Sequence, residues 1–313
     1  MIQLLTWLAG RTTRVKLGSM VVILPWHDPL RVAEELAVLD HLSNGRVVFG
    51  IGRGLGQIEF TGFRKEMEQS RTQFLEYADA IVNAFDTGAM EYDGELYKQP
   101  RMELRPEPLG PLRGRMYASS GSPESMEIMG RLGLGIMVIA QKPWETTVAE
   151  VEAYRENFVK MHGHEPPKPI LVNYVAVNET EQGAQEMYEK YIRRFSKSTI
   201  DHYEFDNPDL GTVKGYEYYR KIAENIEKLG IERFTGFLSD LQVWGTPDAV
   251  AEQIIANVKR IDAAGVISIF SYGGMPPDEV QESIRLFAEQ VLPALKAHDT
   301  GAEVGLAAAA ATS

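Results

Sequence analysis

Six short apolar runs, rich in β-branched residues, alternate along the chain with longer segments of helical periodicity. The runs are Lys16–Leu24, Arg46–Ile51, Arg115–Ser119, Gly135–Ile139, Ile170–Val177 and Val266–Phe270. Each run is apolar nearly throughout rather than at alternate positions, which is typical of strands buried on both faces of a parallel sheet. The repetition predicts a parallel α/β protein, built either as an open doubly wound sheet or as a (β/α)8 barrel.

Helix boundaries are indicated between these runs. Asp28 suits an N-cap, Pro29 suits the first helical position, and the Ser-Asn-Gly sequence at residues 43–45 suits a helix end. Further helices are predicted over residues 71–86, 122–132, 145–161, 180–197, 247–264 and 277–292. We expect residues 1–299 to form a single domain.

Two internal segments interrupt the alternation. Residues 90–110 are typical of a small hairpin followed by a proline-rich connector. Residues 198–244 predict an insertion that contains a charged helix, and a long insertion at the C-terminal rim of a barrel commonly forms a lid. Residues 300–313 have no pattern and are expected to be a disordered tail.

Composition excludes several classes of protein. The chain carries 44 acidic against 32 basic residues, spread along its length, so it offers no basic face for nucleic acid. It has no cysteine and no histidine motif typical of a metal site, so we expect no metal. No apolar run reaches the length of a membrane span, and the first residues lack the order of a signal peptide. A cytoplasmic protein is the expectation.

The stretch VVFGIGRGLGQIEF, residues 47–60, places glycines directly after an apolar run, as nucleotide-binding loops do. The spacing fits neither G-x-G-x-x-G nor a P-loop, and the residues after Gly56 resemble a loop more than a helix start. Functional side chains of a barrel lie at the C-terminal ends of its strands, where glycines let a ligand approach the backbone. Arg53 could therefore bind a phosphate, and a surface ion pair is equally compatible with the local sequence.

A second candidate anion site follows the run at Arg115, in the sequence YASSGSPESMEIMGRLG. Ser122 suits an N-cap, Pro123 the first helical position, and Ser125 is a first-turn hydroxyl. Such a turn presents backbone N–H groups and the positive end of the helix dipole to an anion. An ordinary capped helix is the other interpretation. Paired with an arginine from an earlier strand end, the phosphate interpretation is favoured.

These residues resemble the bacterial luciferase-like flavin monooxygenases along most of the chain. The likeness is carried by LGSMVVILPWHDPLRVAEELAVLDHLSNGRVVFGIGRG, by SSGSPES, and by the C-terminal helices VWGTPDAVAEQI and GGMPPDEVQESIRLFAEQVLP. The resemblance implies a (β/α)8 barrel, and an activity that uses reduced FMN and O2. It also implies dimers formed through barrel helices.

The resemblance implies a set of cofactor-binding residues at matching positions. Arg53 would hold the FMN phosphate, with Ser122 and Ser125 on its other side. Leu55 would flank the flavin, and Ser119 and Gly121 would line the same rim. The family often has a non-proline cis peptide under the flavin ring, and the matching bond joins Met20 to Val21. Gly121 stands where other members carry an acidic residue, so that hydrogen bond would be missing.

The chain opens in what looks like the second helix of that barrel, LLTWLAGRT. We hypothesise an incomplete barrel without its first two strands, because the chain is truncated or begins at an internal methionine. The catalytic histidine of the family belongs to that missing part. His27, at a strand end in LPWHDP, is the remaining candidate for proton transfer, and a packing or capping histidine is the other interpretation.

The leading functional prediction is a monooxygenase that uses reduced FMN and O2 to oxidise a small organic substrate. Its expected partners are a flavin reductase and a second copy of the chain in a homodimer. The 198–244 insertion would be its lid, and Trp26, Phe60 and Phe63 its pocket walls or part of the core. One alternative is a deazaflavin-dependent oxidoreductase on the same fold. Another is a non-catalytic flavin-binding or partner subunit.

Overall fold

The structure, a computed structural model, describes residues 1–298, apart from the side chains of Ser120 and Pro123. The predicted tail at 300–313 lies outside the described residues. The described chain forms two compact units, residues 1–136 with 155–167, and residues 137–154 with 168–298. The single domain expected over residues 1–299 stays a prediction.

The first unit contains the N-terminal helices and strands of the chain. Its helices are α1 (Ile2–Ala9), α2 (Pro29–Ser43), α3 (Gln57–Phe63), α4 (Ser70–Thr87) and α5 (Pro123–Leu132). Its strands are β1 (Leu17–Gly18), β2 (Val22–Ile23), β3 (Val47–Gly52), β4 (Ala89–Asp93), β5 (Lys98–Glu103) and β6 (Met116–Ser120). The boundaries between the units fall within β7 (Gly135–Ile139) and α6 (Trp144–His162).

The second unit contains the rest of the described chain. Its strands are β8 (Ile170–Val177), β9 (Val243–Gly245) and β10 (Gly265–Ile269). Its helices are α7 (Glu181–Met187), α8 (Arg193–His202), α9 (Tyr219–Leu229), α10 (Ile231–Asp240), α11 (Pro247–Arg260), α12 (Pro277–Leu286) and α13 (Leu292–Ala297). Among residues 1–298 no helix is both long and apolar enough to span a bilayer.

Strand β3 lies at the centre of the first unit and is buried along its whole length. It pairs in parallel with β1, β2 and β6. The prediction of one continuous strand over Lys16–Leu24 is wrong, because β1 and β2 are separated by a break. At the break the hydroxyl of Ser19 donates to the carbonyl of Gly50 at 2.8 Å and accepts from its N–H at 3.0 Å. The Ser19 side chain thus forms the hydrogen bonds to β3 that the backbone does not form at the break between β1 and β2.

Helix α2 has the boundaries that the sequence indicates. The Asp28 carboxylate accepts from the backbone N–H of Arg31 at 3.0 Å, and Asn44 ends the helix in the left-handed conformation with φ 55°. Within the helix, Asp40 is 1% exposed and forms a two-pronged ion pair with Arg115, at 2.7 and 2.9 Å. This pair connects α2 to the residue that precedes β6.

The hairpin predicted in residues 90–110 is formed by the antiparallel strands β4 and β5. Its tip is held by the buried carboxylate of Glu76 on α4, which accepts from the backbone N–H groups of Glu95, Leu96 and Tyr97 at 2.6–3.0 Å. A Cβ atom added to Gly94 would lie 2.6 Å from the Glu76 carboxyl carbon. The glycine is therefore needed for the carboxylate to reach these donors.

Strand β8 is the centre of the second unit and pairs in parallel with β7, β9 and β10. The predicted insertion, residues 198–244, begins with the end of α8 and continues through a 3₁₀ turn at Pro208–Thr212, α9 and α10. It ends with the first two residues of β9, a strand that the sequence analysis did not predict. A strand of three residues is too short for hydrophobic periodicity to reveal.

Candidate functional site

A small cleft in the first unit is bordered by the C-terminal ends of β3 and β6 and by helices α4 and α5. The side chains that line it are those of Arg53, Arg71, Phe74, Ser119, Ser125, Ile128 and Met129. Its empty volume, open solvent included, is about 320 Å³. Three of the predicted site residues, Arg53, Ser119 and Ser125, are brought together here from separate segments.

Arg53 directly follows β3, between two glycines with packing roles. A Cβ atom at Gly52 would lie 2.6 Å from Cγ2 of Val21, and one at Gly54 would lie 3.1 Å from the ring of Phe60. Gly54 also has φ +88°, which disfavours other residues. At these two positions protein side chains fill the space, so the predicted role of glycines in admitting a ligand is wrong for them.

Helix α3 begins at Gln57, directly after Gly56, where the sequence suggested a loop. That prediction is wrong. Glycine is an acceptable N-cap residue, and Gly56 takes this position with extended backbone angles. The helix ends after seven residues at Arg64, which is left-handed with φ 56°. Its Phe60 is fully buried, so this ring belongs to the core rather than to a pocket wall.

The start of α5 has the capped geometry that the sequence predicts. The Ser122 hydroxyl accepts from the backbone N–H of Ser125 at 3.2 Å, and the two hydroxyl oxygens lie 2.8 Å apart. Ser122 is buried, whereas Ser125 lines the cleft. Ser122 therefore positions the first turn, and Ser125 presents a hydroxyl beside backbone N–H groups at the positive end of the helix.

Arg71 is a second arginine of the cleft, and sequence reasoning missed it. It lies in the first turn of α4 and forms a two-pronged ion pair with Glu124 in the first turn of α5, with Nη2 2.8 Å from Oε2. A positive charge in the first turn of a helix is repelled by the positive end of the helix dipole. The position of Arg71 at the start of a predicted helix was therefore the signal available in the sequence, because an anionic partner would offset this repulsion.

The remaining predicted flavin-site residues do not line the cleft. The peptide bond between Met20 and Val21 is cis, as expected from the resemblance. It lies beside the end of β3, because Val21 packs against Gly52. Leu55 is partly buried and Gly121 is exposed. The structure brings these residues to the same strand ends, and their contact with a cofactor stays a prediction.

His27 follows the 3₁₀ turn Leu24–Trp26 and is exposed. The partial burial of its ring lowers the pKa of His27, and the nearby carboxylate of Glu35 acts in the opposite direction. The neutral form is therefore favoured at neutral pH, which suits an acceptor of protons more than a donor. Its neighbour Trp26 stacks on Phe63 with ring centroids 4.7 Å apart. A catalytic role for His27 stays a prediction.

The chemistry of the cleft is that of anion binding rather than of metal binding. Over residues 1–298, no group of three or more His, Asp or Glu side chains is arranged to hold a metal ion. The cleft instead combines two arginines, serine hydroxyls and a helix N-terminus, all of which are groups that bind anions.

Residues 1–264 match the family model of luciferase-like monooxygenases, and the chain belongs to that family. It is 29% identical over 294 residues to the alkanal monooxygenase alpha chain of Photobacterium leiognathi, and the match covers 92% of this chain and 81% of the relative. It is 25% identical over 199 residues to an alkanal monooxygenase beta chain of the same organism, covering 61% of this chain and 58% of the relative.

Solved structures with the same fold include a monooxygenase from Streptomyces bottropensis, with TM-score 0.71, 24% identity, and 93% of this chain and 82% of that chain covered. The oxygenating constituent of 3,6-diketocamphane monooxygenase from Pseudomonas putida, in complex with FMN, has a TM-score of 0.68 and 18% identity, with 93% of this chain and 83% of that chain covered. A coenzyme F420 dependent tetrahydromethanopterin reductase from Methanopyrus kandleri has a TM-score of 0.65 and 19% identity, with 93% of this chain and 86% of that chain covered. The predicted α/β fold of the TIM-barrel type is confirmed, and the loss of its first two strands stays a prediction.

Proposed function

We propose that this chain is a flavin-dependent monooxygenase that uses reduced FMN and O2 to oxidise a small organic substrate. One observation carries the proposal: Arg53, Ser119 and Ser125 line the same cleft beside the capped start of α5. Membership of the luciferase-like monooxygenase family supports the oxidative chemistry. The relative in complex with FMN supports the choice of cofactor.

The phosphate group of FMN fits the donors of the cleft. The guanidinium groups of Arg53 and Arg71 offer positive charge and N–H donors, and Ser125 offers a hydroxyl. The backbone N–H groups at the start of α5 add the positive end of a ten-residue helix. These groups come from separate segments that the fold already holds in place, so little ordering is required when the phosphate binds.

The residues around the cleft would then have defined tasks. Arg53, Arg71 and Ser125 would hold the phosphate, and Ser122 would keep the first turn of α5 in position. The strand end at the Met20–Val21 bond would lie under the flavin ring. When bound, reduced flavin supplies the electrons that activate O2 for insertion of one oxygen atom into the substrate.

A deazaflavin is the alternative cofactor, because a neighbour of similar fold is coenzyme F420 dependent. The two possible cofactors are distinguished by titrating the purified chain with FMN and with F420 while the fluorescence of each is followed. We expect saturable binding of FMN, and substrate-dependent O2 uptake when reduced FMN is supplied with aldehydes or ketones. Preferential binding of F420, with hydride transfer and no O2 uptake, would favour the deazaflavin enzyme instead.

A non-catalytic subunit is a further candidate, because the chain is similar to a beta chain as well as to an alpha chain of alkanal monooxygenase. Such a subunit would bind FMN but would show no turnover with any of the aldehydes or ketones. Supply of reduced FMN by a separate reductase and location in the cytoplasm stay predictions of the sequence.

A homodimer is proposed on the strength of an exposed apolar face on α1 and α2. Four large apolar side chains of these two helices are 40–60% exposed: Leu4, Trp7, Val38 and Leu42. Leu4 and Trp7 lie one turn apart on α1, Val38 and Leu42 lie one turn apart on α2, and the two helices pack against each other. Exposed apolar side chains on neighbouring helices are typical of protein interfaces. Similarity to both chains of alkanal monooxygenase supports pairing between family members.

Charged substitutions on this face are expected to separate the dimer. Trp7→Glu and Leu42→Glu each place a charge where a partner would cover apolar surface, so the mass measured by light scattering should fall from dimer to monomer. Ile284→Glu, which makes the same kind of exchange at an exposed apolar position of α12, is the matched control. A monomeric parent chain, or a dimer that survives both charges, would contradict the assignment of this face.

A further inference from the structure

The ion pair between Arg71 and Glu124 occupies donors that the proposed function assigns to the phosphate. Both terminal nitrogens of Arg71 are engaged by the two carboxylate oxygens of Glu124. We propose that Glu124 is an internal competitor for Arg71, which weakens phosphate binding and keeps FMN exchangeable. The proposal rests on FMN phosphate binding in the cleft and adds a regulator of its affinity.

The competitor has the same binding geometry as the ligand. Carboxylates and phosphates are both bound in a forked manner by guanidinium groups, so one anion can replace the other at Arg71 without new geometry. Glu124 also lies in the first turn of α5, where its negative charge satisfies the helix dipole that would otherwise favour phosphate. The Glu124 carboxylate thus competes with the phosphate both for the Arg71 guanidinium and for the positive end of the α5 dipole.

Exposure indicates which partner moves when they separate. The Arg71 side chain is 20% exposed, whereas that of Glu124 is 53% exposed. Glu124 can therefore turn into water at little cost in hydration, while Arg71 stays at the wall of the cleft. Exposed ion pairs contribute about 0–1 kcal/mol, so displacement of this carboxylate by a phosphate dianion is energetically accessible.

Removal of the competitor should tighten FMN binding. Glu124→Gln keeps the shape of the side chain and removes its charge. The ion pair and the helix dipole each contribute up to about 1 kcal/mol, so we expect the Kd of FMN, measured by quenching of flavin fluorescence, to fall roughly tenfold. The Kd of riboflavin, which has no phosphate, should stay the same. The FMN dissociation rate in stopped-flow mixing should fall by a similar factor, because affinity changes appear mostly in dissociation.

Two further variants distinguish competition for Arg71 from simple repulsion between Glu124 and the phosphate. Glu127→Gln removes an exposed charge from the same helix and should leave both affinities unchanged. In an Arg71→Ala background, Glu124→Gln should give less than about a threefold gain, since there is no longer a guanidinium to compete for. An undiminished gain in that background would mean charge repulsion and would overturn the proposed competition.

The outcomes also separate this inference from the proposed function. Weaker or unchanged FMN binding in Glu124→Gln, together with weaker binding in Arg53→Ala, would overturn the competitor and leave the phosphate site standing. A parent chain that binds FMN no better than riboflavin would overturn both. Tighter FMN binding in Glu124→Gln alone, with riboflavin unaffected, supports both.

Discussion

Replacement of Arg53 by alanine is expected to weaken FMN binding by about 1.5–3 kcal/mol, the value of a hydrogen bond to a charged group. This corresponds to a roughly 10- to 150-fold rise in Kd. The physical reason is that Arg53 is one of two permanent cations of the cleft, and both terminal nitrogens of the other, Arg71, are engaged by Glu124. Quenching of flavin fluorescence measures the change directly.

The phosphate itself provides the control for this prediction. Riboflavin should bind the parent chain and the Arg53→Ala variant equally, because the interaction removed is with phosphate. Arg31→Ala, which removes an exposed arginine of α2, should leave FMN binding unchanged. Arg53→Lys should lie between the two, since it keeps the charge and loses the forked donor geometry. An FMN affinity unaffected by Arg53→Ala would remove the proposed phosphate site.

Local signals in the sequence predicted the fold class and one side of the cleft. The boundaries of α2 were predictable because Asp28, Pro29 and Asn44 act on backbone groups within a few residues of themselves. Arg53 was predictable because it follows an apolar run directly, and strand ends position functional side chains. The capped start of α5 was predictable for the same local reason, from the hydroxyl of Ser122.

Long-range contacts account for what the sequence did not reveal. Arg71 and Glu124 are 53 residues apart in the chain, and although Glu124 lies within SSGSPES, no local pattern connects it to Arg71. The break between β1 and β2 depends on a hydroxyl of Ser19 that reaches Gly50 on another strand. Such pairings are decided by tertiary packing, which propensity and periodicity do not encode.

The buried pair of Asp40 and Arg115 is expected to give the largest stability effect in the first unit. Asp40→Ala should lower the free energy of unfolding by about 3–5 kcal/mol, because it leaves a guanidinium in a largely buried site without its counter-charge. The side chain of Arg115 is 13% exposed and would keep only its bonds to the carbonyl oxygen of Pro111, at 3.1 and 3.2 Å. Urea unfolding with an unchanged m-value measures the loss.

A matched exposed pair shows why burial decides this effect. Asp86 pairs with Arg113, two residues before Arg115, but those side chains are 29% and 50% exposed. Asp86→Ala should therefore cost no more than about 1 kcal/mol. Replacing both buried partners, Asp40→Leu with Arg115→Met, should recover much of the loss, because it removes the stranded charge and keeps the volume filled. Equal losses for Asp40→Ala and Asp86→Ala would mean that the buried pair is no more than a surface interaction.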